Sequence, residues 1–278
     1  MAAPRSRDHR VLVPVDVLGG QSVPRTVVDA FASVPVTLLA YREIPDQIAT
    51  SHARDQYGDR ARAELEELRS VFEDAGCVDV STRLVFTHDR LKTFERVAVD
   101  EDCHAVLMLN PAPKLESVLV AIRGDVNLEY IADLLGTLLT GTDLEVTFFR
   151  VIGDESDRDA ADELVETAAD ELEAADVDRD RIHAQVTLEG SPTQAILAAA
   201  AEHDMLVLGE SRPSIRRFIF RDRAKTLARG TVDPVLVIRG EYLEEEEESE
   251  SDDGEANEGD ESDDGEADRS GENRENGG

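Results

Sequence analysis

Short runs of β-branched residues alternate with stretches of helical period, and the whole alternation occurs twice in the same order. "RVLVPVDVL" (10–18) reads as a buried strand, "SVPRTVVDAFASV" as a helix and "PVTLLAYREI" as a second strand. A long polar helix follows from about Asp46 to Ala75, then strand "VDVSTRLVF", helix "LKTFERVAVDEDC" and buried strand "HAVLMLN", which ends at Asn110. "SVLVAIRGD" (117–125) restarts the series, and the helices and strands after it match the first set one by one as far as "DMLVLGE". The second series then adds a basic helix and a last strand, "PVLVIRG" (234–240), which the first lacks. Strands and helices alternating at these lengths predict an α/β fold of parallel sheets, covered on both faces by right-handed crossovers. The expected organisation is a truncated domain over 10–113, a complete one over 114–240, and a tail over 241–278. The two sheets are expected to be open.

The tail "EYLEEEEESESDDGEANEGDESDDGEADRSGENRENGG" carries 19 acidic and 2 basic residues and almost nothing apolar, so it predicts a disordered segment that aids solubility. The rest of the chain is also acidic: 62 Asp and Glu stand against 29 Lys and Arg, a formal net charge of −33, and only Lys92, Lys114 and Lys225 are lysines. Scarce lysine throughout the chain points to a halophilic cytoplasm, where salt shortens charge repulsion to about 3 Å at 1 M. An acidic partner-binding protein in ordinary salt would explain the tail but not the lysines. Cys77 and Cys103 have no metal or redox spacing, and the six histidines are scattered, so no metal site is expected. With no 18-residue apolar run and no secretory leader pattern, the expectation is a cytoplasmic protein without membrane insertion.

In open α/β sheets ligands sit at the carboxyl ends of strands where strand order reverses, which directs attention to the loops after Val15, Ile122, Leu109 and Leu208. There "VLVPVD", "EGSPTQAILAAAAEHDMLVLGES" and "PVLVIRG" occur in an order that resembles the universal stress protein family in tandem arrangement, over about residues 11–240. The resemblance implies a nucleotide site built from an Asp after the first strand and a G-x2-G-x9-G-[ST] loop after the fourth. Glycines there let backbone amides and a helix N-terminus approach phosphates. In this chain the two parts fall in different halves. Asp16 stands in the first, which lacks the loop; the second keeps Gly209, but Arg212 replaces the next glycine, Arg221 to Arg223 fill the final Gly-Ser position, and Arg123 replaces the Asp. Ordinary ATP binding is therefore not expected in either half.

Six arginines and one lysine lie in "LGESRPSIRRFIFRDRAKTLARG", Leu208 to Gly230. Two readings stand side by side. Arg123, Arg212 and Arg216 could grip an anionic nucleotide or phosphorylated metabolite as bidentate forks; or these residues pair with neighbouring carboxylates on a solvated helix face, with Ile215, Phe218, Ile219 and Leu227 buried behind them. Nucleic acid is disfavoured by the acidic field and by the lack of aromatic stacking positions. No catalytic motif or acid–base pair stands out, so a non-enzymatic regulatory or stress-response protein working through a protein partner is expected. Its last strand, Val235 to Ile238, is expected to be an exposed edge that builds a homodimer, as is common in that family.

Overall fold

In the computed structural model, residues 9–77, 79–110, 114–123, 128–209, 226–227, 230–231 and 233–239 are described. The first half runs β1 (Val11–Val15), α1 (Arg25–Ala30), β2 (Val36–Glu43), α2 (Thr50–Asp74), β3 (Val80–Thr87), α3 (Arg90–Asp100) and β4 (Ala105–Met108). The second runs β5 (Ser117–Ala121), α4 (Leu128–Leu139), β6 (Glu145–Ile152), α5 (Arg158–Ala174), β7 (Ile182–Leu188), α6 (Pro192–Ala200), β8 (Met205–Gly209) and β9 (Val235–Ile238). The first helix is shorter than its apolar pattern suggests, because Pro24 occupies its N-cap and fixes where it can start. Ser191 and Pro192 open α6 as expected for a cap and first position, although the Ser191 side chain makes no capping hydrogen bond.

Both faces of the sheet are covered. Val11, Val13 and Val15 of β1 share one core with Val27 of α1, Phe72 of α2, Leu134 of α4 and Val165 of α5. Leu12, between them in sequence, points the other way and joins Phe94 of α3, Ile196 of α6 and Leu227. This is the period-2 alternation of a strand buried on both sides. α5 buries Ala161, Val165, Ala168, Ala169 and Leu172, one stripe at helical spacing, and leaves its carboxylates to solvent. Cys77 and Cys103 are both buried free thiols, and burial raises each to about 11, which makes them poor nucleophiles at neutral pH.

The halves do not form separate sheets. Their strands make one nine-stranded sheet in the order β3-β2-β1-β4-β9-β8-β5-β6-β7. β9 lies parallel to β8, with Gly209 opposite Ile238, and antiparallel to β4, with Ala105 opposite Ile238 and Met108 opposite Val235. All four β9 residues are fully buried or nearly so. This corrects the expectation of an exposed final strand that builds a homodimer: β4 of the same chain already occupies the edge such a partner would use. The physical reason is the first half's missing fifth strand. β4 would otherwise end the first sheet with an unpaired row of backbone donors and acceptors, and β9 satisfies it. Among the described residues, the edges of this sheet are β3 and β7.

Candidate functional site

The antiparallel join fixes where chemistry can sit. Strands β1 to β4 and strands β5, β6, β8 and β9 run in opposite senses, so the two sets of carboxyl ends lie at opposite ends of one sheet. Strand order reverses at β1/β4 in the first half and at β5/β8 in the second. There are thus two strand-end crevices, one at each end. Asp16 belongs to the first, Arg123 and Gly209 to the second; the structure does not bring Asp16 together with the other two.

In the first crevice the chain's own side chains hold the groups a ligand would need. The Asp16 carboxylate accepts from the Gly19 amide at 2.9 Å and so caps the single 3-10 turn Val17–Gly19. Arg42 on β2 donates to it from Nη1 at 3.1 Å, a half-exposed pair that contributes about 0–1 kcal/mol. Gln21 spans the strand-order reversal: its Oε1 accepts from the Asp16 amide at 2.9 Å, and its Nε2 donates to the carbonyl of Leu109, just past β4, at 3.3 Å. Asn110 then donates to the carbonyl of Asp233 at 2.8 Å, tying the end of the first half to the approach to β9. A Cβ on Gly19 would lie 2.5 Å from Asp16 Oδ2, so only glycine lets the turn close over the carboxylate; Gly20 follows at φ +75°. Gln21 and Arg42 were not anticipated from the sequence. The one local signal was the "GGQ" at 19–21, separated from the strand-end Asp16 by two residues.

At the second crevice Arg123 follows β5 and is exposed. Its carbonyl accepts from Arg150 Nη1, which also lies 3.5 Å from the Ile122 carbonyl. Arg150, on β6, therefore closes the end of β5, and its Nε is buried without a hydrogen-bond partner among the described residues. It is a second arginine beside Arg123 that sequence reasoning missed, because "TFFRVI" reads as an ordinary strand. Gly209 ends β8 on the neighbouring strand, where a Cβ would come within 2.7 Å of Ile131 Cδ1 on α4. Its missing side chain lets α4 close on the sheet end. Arg212, Arg216 and the other positive residues up to Lys225 lie outside the described residues. Leu227, the part of that stretch's apolar face that is described, is buried as expected. Among the described residues no cluster of three His, Cys, Asp or Glu side chains could hold a metal ion, and no helix is long and apolar enough to cross a membrane.

One twisted sheet with helices on both faces and two order reversals defines an open, doubly wound α/β protein. Within that class, residues 114–239 match the model of the universal stress protein family. A universal stress protein from Archaeoglobus fulgidus DSM 4304 shares the fold at 16% identity and a TM-score of 0.58, covering 84% of this chain and 97% of that one. A universal stress protein from Archaeoglobus fulgidus in complex with dAMP is 17% identical over 45% of this chain and 98% of its own, with a TM-score of 0.36. A functionally unknown protein from Pseudomonas aeruginosa PAO1 is 14% identical over 84% of this chain and 94% of its own, at 0.43. No curated protein matches the chain in sequence.

Proposed function

We propose that this chain is a non-enzymatic, cytoplasmic stress-response protein that acts through protein contacts and does not bind ATP in the ordinary way. The observation that carries this reading is the Gln21 amide, which occupies the Asp16 N–H and the Leu109 C=O on either side of the first reversal. With Asp16 also engaged by Gly19 and Arg42, a nucleotide would have to break hydrogen bonds before making any. The residues of the first crevice thus do not fit the nucleotide that the family resemblance implies. Thermal melting in molar KCl with ATP, ADP, AMP or cyclic AMP at millimolar concentration is expected to show no shift. A ligand at 100 times its dissociation constant would add about 2.7 kcal/mol of stability, so a clear rise in Tm would overturn this reading.

Such a rise would favour a second reading, a sensor of an anionic nucleotide or phosphorylated metabolite in the second half. Arg123 and Arg150 beside Gly209 support it, because guanidinium groups can replace the missing loop amides as phosphate donors. Arg123→Glu and Arg212→Glu should then each abolish the shift and leave folding intact.

Partnership follows the sheet. With both sides of β9 paired inside one chain, light scattering after gel filtration is expected to give the single-chain mass of 30.5 kDa. Twice that mass would overturn this expectation and point to a dimer contact other than β9.

A further inference from the structure

Two histidines of the first half meet one helix of the second. His9, just ahead of β1, is 1% exposed; its Nε2 lies 2.9 Å from Asp133 Oδ2 on α4, and its Nδ1 is buried without a partner among the described residues. Tyr130, one turn earlier on α4, sets its ring edge-to-face against His9 at 5.0 Å, and the His104 ring, just ahead of β4, lies 5.8 Å from His9. The Arg10 amide donates to His104 Nδ1 at 3.2 Å, so that nitrogen carries a lone pair and the ring is neutral.

We propose that His9 and His104, held against Asp133 and Tyr130, form an acid-sensitive joint that couples the first half to the strand-end crevice of the second. Protonating His104 at Nδ1 turns an acceptor into a donor that faces another donor. The new charge also lies in a buried place, 5.8 Å from the His9 ring. The charged groups around the pair divide unevenly. Arg10, which pairs with Asp79, and Arg239 add positive charge; Asp102 opposes them near His104, and Asp133 opposes them at His9. Burial dominates at His104 and, with His9, Arg239 and Arg10 assisting, holds it below the ordinary histidine range. The folded value therefore lies below the unfolded one of about 6.5. Stability is complete above that pH and is lost as pH falls through it toward the folded value.

The consequence travels along α4. Ile131 lies between Tyr130 and Asp133 in sequence, and it is the residue that Gly209 admits to the end of β8. Loosening the first turn of α4 from the histidines moves the side chain that packs against the second crevice. The route is a run of direct contacts: His104, His9, Tyr130 with Asp133, Ile131, Gly209.

The test is NMR on the full chain in molar KCl, with isoleucine δ1-methyl and histidine-ring labels, titrated from pH 7.5 to 5.5. His104 is expected to titrate below about 6.5, and the Ile131 methyl resonance to move with the same midpoint. In His104→Gln, whose amide oxygen can still accept from Arg10, the Ile131 shift should vanish. In parallel urea unfolding, the wild-type folding constant should fall by up to about tenfold per pH unit over this window, the limit for one linked proton, and less steeply in the variant. A His104 midpoint at or above 6.5, an Ile131 methyl that stays still while His104 titrates, or an unchanged Ile131 shift in His104→Gln would each overturn the proposal. If the variant fails to fold, the two wild-type midpoints decide the matter alone.

Discussion

Val237→Asp is expected to abolish folding of the whole chain or cost at least about 4 kcal/mol, while Leu188→Asp, the same kind of change on an edge strand, should cost less than about 1 kcal/mol. Val237 is 0% exposed in β9 and sits in register between Val106 of β4 and Leu208 of β8. A carboxylate there has no partner and no water, so it must stay buried and charged, be protonated, or force the strand out of the sheet. Any of these damages both halves, because β9 is the strand through which their sheets are hydrogen-bonded. Leu188 is 45% exposed at the end of β7, whose outer side no other strand pairs among the described residues. Urea denaturation in molar KCl, followed by far-ultraviolet circular dichroism, measures both variants. If Val237→Asp left one half melting with wild-type cooperativity, the halves would be independent and the shared sheet would not be the source of their stability.

The strands and helices of this molecule were legible because each is a local pattern. Val11 to Val15, apart from Pro14, and Val235 to Ile238 are short buried runs of β-branched residues and leucine, and α5 repeats its apolar stripe at helical spacing. What could not be read is which strand pairs with which across the join. Ala105 and Ile238 are 133 residues apart, and nothing in "HAVLMLN" or "PVLVIRG" distinguishes a strand that meets solvent from one that meets a second strand. The positions of Asp16 and Gly209 at strand ends were also legible, since they follow apolar runs directly. Gln21 was not, because a glutamine in a loop has no pattern, and its role depends on a carbonyl 88 residues away. His9 and His104 looked scattered for the same reason: only the fold puts them side by side.

Arg239 belongs to that hidden class, and replacing it carries the second large effect. Its backbone amide donates to the His104 carbonyl at 2.9 Å, and its side chain, on a residue only 8% exposed, turns back across the join. Nη1 donates to the carbonyls of Ala98 at 3.2 Å and Cys103 at 2.6 Å, at the end of α3 and in the loop after it. The guanidinium thus sits where the carbonyl end of α3 is negative, which favours a cation. Hydrogen bonds to a charged group contribute about 1.5–3 kcal/mol, and a buried guanidinium stem adds packing, so Arg239→Ala should cost about 3 kcal/mol. Arg239→Lys should recover only part of that, since an ammonium on a flexible stem lacks the planar fork. Because Cys103 also donates to the Ala98 carbonyl at 2.7 Å, that oxygen keeps one partner in the alanine variant, and the carbonyl of Cys103 bears more of the loss. Urea midpoints for the three proteins in molar KCl decide the question. A loss below about 0.5 kcal/mol in Arg239→Ala would mean that water replaces the guanidinium at no cost, and that the join holds without it.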